Sequence, residues 1–312
     1  MPKIFVVHVG FPPRAASQYL RDRRGAADPM TFHYALLEKR AVFAVRGKDR
    51  IPYLQGILTQ DVAPCRFGGV AYGLMLQAQG KFLCEAFVAP TEETLWLDCS
   101  GSYADSVAAK LGLYTLGRDA SVERVRMKVY VCWGTAAPEA KNAAICYADP
   151  RPGSDFFRVL VKEGDAFPFN EGEKANFSIY RRRRIMAGLP DGDEDLSFNA
   201  SYPLDFCLDG LDSISFSKGC YIGQEVTARM YYKGKRKKAP FTLQADDGDM
   251  FPVEGGEVFS KTGEKIGDVT SSEGDAAMAL ALDRDRVAAG NQVFVGGVKA
   301  SVTHVLSGKP SR

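Results

Sequence analysis

Fourteen consecutive residues gather most of the reactive groups that this chain places close together: Phe216-Ser217-Lys218-Gly219-Cys220-Tyr221-Ile222-Gly223-Gln224-Glu225-Val226-Thr227-Ala228-Arg229. A thiol sits there beside an ammonium, a carboxamide, a carboxylate and two glycines. Gly219 and Gly223 allow tight backbone geometry around Cys220. Residues from about Gly223 to Tyr232 have helical character, which would bring Cys220 close to a positive helix end. With Lys218 two residues away, such surroundings lower a thiol pKa and favour the nucleophilic thiolate. Glu225 could accept or relay a proton nearby. The alternative is that Cys220 is simply a small buried apolar residue, as most lone cysteines are. Chemistry alone leaves both open.

Other candidate groups are dispersed. Seven cysteines stand at positions 65, 84, 99, 132, 146, 207 and 220, with no C-x-x-C pair. An odd, scattered set implies reduced thiols in a reducing compartment and argues against structural zinc. His8, His33 and His304 are too few and too far apart to suggest a metal centre, so no metal site is expected. Arg181 to Arg184 form a run on a predicted helix, where successive residues turn by about 100° and cannot all face one ligand. Arg184 is assigned to the ligand side and the others mostly to solvent, with surface charge throughout as the alternative. Lys233, Lys235, Arg236, Lys237 and Lys238, beside Tyr231 and Tyr232, could meet RNA phosphates and bases. A solvated connector between domains is the preferred reading, since nothing else in the composition resembles a nucleic-acid binder. A polyglutamylated folate tail is a third candidate for this patch.

The elements that must position these groups follow from patterning. At 312 residues the chain has room for two or three domains. Its 40 basic and 38 acidic residues nearly balance, which gives no global reason for nucleic-acid binding. No run approaches the ~18 apolar residues that a membrane span needs, so a soluble protein is expected. Ala41–Arg46 reads as a strand, and Asp49 could cap a helix carrying Ile51, Leu54, Ile57 and Leu58. Val70–Gln77 and Phe82–Val88 read as strands joined through Gln79-Gly80, and Leu95–Asp98 as another. Ser100 or Ser102 could cap a helix running to about Leu116. Val122–Trp133 and Phe156–Val161 read as strands, and Glu173–Ala187 as a helix stopped by Gly188-Leu189-Pro190. From Lys238 onward short apolar runs alternate with turns such as Asp247-Gly248 and Gly255-Gly256, the habit of a small β-barrel or sandwich. The fold class is therefore α+β. Residues 1–32 read as an extension or disordered tail, with Met30 as a candidate natural start, 33–237 as one α+β region of one or two subdomains, and 238–312 as a C-terminal β-barrel. The arginines at 14, 21, 23 and 24 superficially resemble a mitochondrial transit peptide.

The segment Lys218 to Glu225, continued by Thr227, Ala228 and Arg229, resembles the signature of the YgfZ family. These are folate-binding iron–sulfur assembly factors related to the T-protein of the glycine cleavage system, an aminomethyltransferase. Three further places are similar to the same family: Tyr53-Leu54-Gln55-Gly56-Ile57-Leu58-Thr59-Gln60-Asp61, Gln79-Gly80-Lys81-Phe82-Leu83-Cys84-Glu85, and Tyr180 with Arg184-Ile185-Met186-Ala187-Gly188-Leu189-Pro190. The likeness runs from about Tyr34 into the C-terminal barrel. It implies T-protein-like layers around a central folate cavity, followed by the barrel.

By that resemblance the cofactor is tetrahydrofolate or a one-carbon derivative, contacted by Glu85, Tyr180, Arg184, Asp205, Gln224 and Arg229. Cys220, with Lys218 and Glu225, then acts in the maturation of [4Fe–4S] proteins. The implied partners are iron–sulfur client or scaffold proteins, with RNA possible but not favoured, no membrane, and a monomer expected. The departures matter. Met186 stands where the T-protein usually has a pterin-contacting glutamate, which speaks against glycine cleavage. Glu85 replaces an aspartate, while Asp205 and Cys207 replace a usual glutamate and asparagine. A folate-dependent one-carbon transferase, acting on RNA or a small amine, is the first rival. A binding module in which Cys220 is only structural is the second. The compartment is expected to be the bacterial cytoplasm, or the mitochondrial matrix if the arginine-rich stretch is real targeting.

Overall fold

The computed structural model describes residues 6–7, 32–134, 138, 140, 143–234, 236–246, 248–252 and 255–310. Met30, the arginine-rich stretch and most of the expected tail lie outside these residues, as do Lys235 and Asp247. Val6–Val7, which falls inside the expected tail, pairs in parallel with Cys146 and Tyr147.

The described chain is α+β and forms two compact units. One takes the described residues up to 73 together with 85–177. The other takes 74–84 together with 178–310. The hairpin around Gln79-Gly80 is thereby grouped with residues more than a hundred positions later.

Two sheets carry most of the first unit, although residues 74–76 and 82–84 of the five-stranded one are grouped with the second. A six-stranded sheet runs in the spatial order Val6–Val7, Ile145–Ala148, Phe157–Lys162, Met127–Gly134, Phe32–Leu36 and Glu173–Lys174. A five-stranded sheet has the order Ala71–Leu76, Phe82–Pro90, Leu95–Ser100, Arg40–Arg46 and Ser121–Val125. Ala71–Leu76, Phe82–Pro90 and Leu95–Ser100 are buried at every residue, in keeping with their nearly unbroken apolar runs. The stretch read as one strand over Val122–Trp133 is two. Ser121–Val125 pairs with Arg40–Arg46, whereas Met127–Gly134 joins the other sheet, and Arg126 marks the change.

Among the described residues four α-helices accompany the sheets: α1 (Arg50–Gln55), α2 (Ala104–Leu113), α3 (Phe177–Met186) and α4 (Gln224–Lys233). Three differ in detail from the sequence reading. Asp49 precedes α1, but its carboxylate accepts from the Asp119 N–H at 2.9 Å instead of capping the helix. Ser100 is drawn into a strand opposite Arg40, so α2 begins only after Tyr103. Glu173 and Lys174 pair with His33 and Tyr34, so α3 starts at Phe177. In the last two cases sheet pairing overrides local helix propensity.

In the second unit the expected barrel is a closed ring of six antiparallel strands. Their order is Pro240–Ala245, Ala276–Ala281, Lys265–Glu273, Glu257–Ser260, Gln292–Val295 and Val298–Val305. Closure removes sheet edges. Breaks in register at Thr242/Leu243, Val258/Phe259 and Val269/Ser271 bend the strands around the ring. Phe241, Leu243, Val258, Ile266, Val293 and Val302 fill its core. At Gly267 the strands pass too close for a side chain: a Cβ there would lie 2.7 Å from the Leu280 carbonyl oxygen.

Candidate functional site: an exposed thiol on a braced loop

The helix expected after Gly223 is present as α4, and Gly223 is its N-cap with φ +85°. That left-handed backbone is costly for any residue with a Cβ. Space forbids one as well. A Cβ on Gly223 would lie 2.6 Å from the Gln77 carbonyl oxygen and 2.9 Å from the Leu76 Cβ. Across the contact Gly80 has φ +75°, and a Cβ there would stand 3.0 Å from the Val226 Cβ. The hairpin turn and the helix start, two motifs far apart in sequence, thus meet nearly backbone to backbone. The hairpin is tied further on, where Phe82 donates to the Ser201 carbonyl and accepts from the Asn199 N–H.

Hydrogen bonds finish the loop locally. The Tyr221 N–H donates to Gln224 Oε1 at 3.3 Å, and the Gln224 N–H donates to the Tyr221 carbonyl at 3.2 Å. Thr227 Oγ1 donates to the Gly223 carbonyl at 2.9 Å. This is a capping-box-like reciprocity carried by Gln224. Tyr221 is buried, and burial pushes its phenol up to about 12. The Lys218 ammonium lies 5.4 Å from the centre of the Tyr221 ring, a cation–π contact. Cys220 and Gly219 stand exposed at the crest of the loop. The other six cysteines are buried. Glu225 lies exposed in the first turn of α4, and Arg229 is exposed one turn later.

The other predicted residues of this unit fall on α3 and the segment that leads to the loop. Tyr180 and Arg184, four residues apart, both turn inward. Arg184 is not the open fork expected at a ligand. Its guanidinium is 1 % exposed and donates to Asp195 at 2.8 Å, to Glu194 at 2.7 Å and to the Leu189 carbonyl at 2.6 Å. Burial works against its charge, but the carboxylates of Asp195, Asp191 and Glu194 outweigh it. Its neighbours are not merely solvated either. Arg181 pairs with Glu194 and Glu273, and Arg182 with Asp275, so two arginines tie α3 to the barrel hairpin that turns at Gly274-Asp275. Met186 packs against the Ile185, Ala276 and Met278 cluster. Asp205 is only partly covered. Burial raises its carboxyl above the usual range, and Lys238, 3.9 Å away, offsets part of that. The basic patch is divided: Arg236 makes a two-pronged pair with buried Asp209, at 2.7 and 2.6 Å, while Lys233 and Lys237 stay exposed.

Glu85 belongs to the first unit and is buried there. It accepts from Arg40 at 2.9 Å and from the Tyr72 hydroxyl at 3.0 Å. It is one member of a charged cluster that sequence reading missed. Arg40 also donates to Asp98, Arg158 donates to the second Asp98 oxygen, and Arg151 clasps Asp149. The Arg158 guanidinium lies 3.6 Å from the Phe87 ring centre, and Arg151 stacks toward Tyr72 and Phe87. The signal was available, since Asp98 and Arg158 interrupt otherwise apolar strands. Three guanidiniums answer three carboxylates, which neutralises the cluster from within.

For a folate ring the fit is therefore partial. Glu85 and Arg184 are engaged by their own neighbours, and Asp205 carries the carboxylate left most accessible. Among the described residues no cluster of His, Cys, Asp or Glu could hold a metal ion, and no helix is long and apolar enough to cross a membrane.

The α+β layers and closed barrel define a T-protein-type fold. The structure aligns with the glycine cleavage system aminomethyltransferase T from Bartonella henselae at a TM-score of 0.70, over 88 % of this chain and 85 % of that one, with 16 % identity. No family model matches the chain. Among curated proteins it is 28 % identical over 271 residues to the human iron–sulfur cluster assembly factor IBA57, mitochondrial, covering 78 % of this chain and 76 % of the relative. The mouse protein of the same name is 25 % identical over 81 % of this chain and 78 % of its own length. The chain is thus similar over most of its length to the IBA57 iron–sulfur cluster assembly factors, on a T-protein-type scaffold.

Proposed function

We propose that this protein is an accessory factor in the assembly or repair of [4Fe–4S] proteins, with the Cys220 thiol as its reactive group and tetrahydrofolate or a one-carbon derivative as its ligand. One observation carries the reading: of seven cysteines, only Cys220 is exposed, and it rides on a loop whose trailing limb is braced where Gly223 meets Gly80 and whose leading limb is held by the Phe216–Tyr231 stack. A thiol in that position can reach a partner, whereas the six buried ones cannot. A cubane cluster needs about four protein ligands, so a single thiolate acts together with groups from an iron–sulfur client or scaffold protein. Lys218, on the same loop, adds positive charge that favours an approaching anionic thiolate or cluster. Glu225 is placed to exchange a proton with solvent beside the loop.

Tetrahydrofolate, when bound, would supply hydrogen-bond donors on its pterin and, in its one-carbon forms, a transferable carbon. Asp205 would accept from such donors, with Tyr180, Gln224 and Arg229 as further candidate contacts. Glu85 and Arg184 would support from within their own networks. The packing of Met186 among Ile185, Ala276 and Met278 favours this role over aminomethyl transfer, because a thioether in an apolar cluster offers no charge to a pterin.

The test is the activity of a [4Fe–4S] enzyme in cells lacking this gene, supplied with wild type or Cys220→Ala at matched soluble levels. Restoration by wild type alone supports the assembly role and the thiol. Equal restoration by both rejects the thiol's role, and restoration by neither rejects the assembly role itself.

A further inference from the structure

Residues 307–310 leave the barrel and run back along the segment on which the Cys220 loop is hung. Their contacts are unusually specific for an irregular stretch. The Lys309 N–H donates to Asp209 Oδ2 at 2.8 Å, and its ammonium pairs with Asp212 at 2.6 Å. Arg236, already clasping Asp209, donates to the Lys309 carbonyl at 3.2 Å. The Tyr231 hydroxyl donates to the Pro310 carbonyl at 2.7 Å. Two glycines make the passage possible. A Cβ on Gly210 would overlap the Ser307 carbonyl oxygen, and one on Gly308 would overlap the Arg236 guanidinium.

These contacts end on both attachments of the loop. Asp209 and Asp212 precede it, and Asp212 holds a left-handed backbone at φ +55° where the chain turns into it. Tyr231 follows it on α4, and its ring stacks on Phe216 with centroids 3.7 Å apart and planes 15° from parallel. Phe216 lies four residues before Cys220. A fixed Tyr231 therefore fixes the leading limb of the loop, just as the Gly80 contact fixes its trailing limb at Gly223.

We propose that residues 307–310 form a strap that positions the Cys220 loop, with Asp209, Tyr231 and Arg236 as positioning residues. The inference rests on the reading of Cys220 as the reactive group for its biological meaning, but not for its test. The strap removes freedom from a loop whose crest at Gly219 and Cys220 is exposed, and so sets the direction in which the thiol faces a partner.

Two full-length variants test it, neither altering the loop's own residues. Gly308→Ala wedges the strap away from Arg236, and Tyr231→Phe keeps the ring stack while removing one hydroxyl. The readout is native-state hydrogen exchange of amides 216–224, with barrel amides as the control for folding and the Cys220 alkylation rate, followed by peptide mass, as a second measure. Loop exchange should rise by about threefold or more in at least one variant while the barrel stays protected. A smaller rise in both variants overturns the strap. Complementation by Cys220→Ala decides the functional reading separately, because exchange reports the order of the loop and not its use.

Discussion

Asp98 and Arg158 join the two sheets of the first unit: Arg158 donates to one oxygen of Asp98 at 2.7 Å, and Arg40 holds the other at 2.7 Å. All three side chains are nearly solvent-free. Removing the shared carboxylate would leave two guanidiniums facing each other in a dry interior. Asp98→Ala is expected to lose about 3–5 kcal/mol of stability, the cost of breaking a buried pair from one side. Urea denaturation of the purified variant measures it, and a loss within the range of surface substitutions would contradict this account.

Gly223 predicts a site-directed loss of a different kind. Its φ of +85° and the nearby Gln77 carbonyl both oppose a side chain. Gly223→Ala should cost roughly 1–3 kcal/mol and should impair complementation about as severely as Cys220→Ala, although the thiol itself is untouched. Full complementation would show that the loop works without its brace.

Thiol counting follows from burial. Cys65 and Cys146 are pushed up to about 12 by burial, so neither supplies thiolate at neutral pH. Native protein should react with a coloured disulfide reagent at a single site, and Cys220→Ser should leave none. A second fast thiol in the wild type would place another cysteine in reach of solvent.

The link between α3 and the barrel is pH-dependent. Hydrogen bonds from Arg182, then burial opposing them, then a bond from Gln244 leave the Asp275 carboxyl below its usual value. A carboxyl depressed in the folded state stabilises above its unfolded pKa, and that stability is lost as pH falls through the folded value. Arg182→Gln should lose up to about 1 kcal/mol at neutral pH, since the pair is partly exposed. The difference from wild type should shrink in acid, below the ordinary carboxylate range. Denaturation midpoints at several pH values show whether it does.

Asp205 has the opposite sign. Burial raises its carboxyl, so the folded state holds the proton more tightly than the unfolded chain. Its contribution weakens the fold as pH rises through the ordinary carboxylate range to the folded value. Asp205→Asn should therefore stabilise the protein slightly at neutral pH, by less than about 1 kcal/mol after solvent screening. If the variant also weakens tetrahydrofolate binding by calorimetry, Asp205 is a ligand contact; unchanged binding would remove it from the proposed set.

The elements that could be read from sequence were those set by local pattern. The barrel, the strands flanking Gln79-Gly80 and the helix after Gly223 all follow from alternation, turns and capping. Pairings between distant segments stayed hidden. Ser100, beside Ser102, suits a helix cap and Glu173 a helix start by local pattern, yet sheet partners at Arg40 and His33 decide their state. Arg184 looked open because its carboxylate partners, Glu194 and Asp195, lie beyond a Gly-Leu-Pro stop that helical periodicity cannot follow. Cys220 was legible as a motif, but its exposure depends on how the loop is braced from far away.

That brace has a consequence for synthesis. Gly80 emerges from the ribosome 143 residues before Gly223, the difference of their positions. At about 5–20 residues per second the hairpin turn waits roughly 7–30 s for the helix start that it will meet. Until then its close-fitting glycine face has nothing to rest on, and the loop that will carry the thiol has not been made. A nascent chain thus holds Cys220 in its folded geometry only after most of the molecule has been translated.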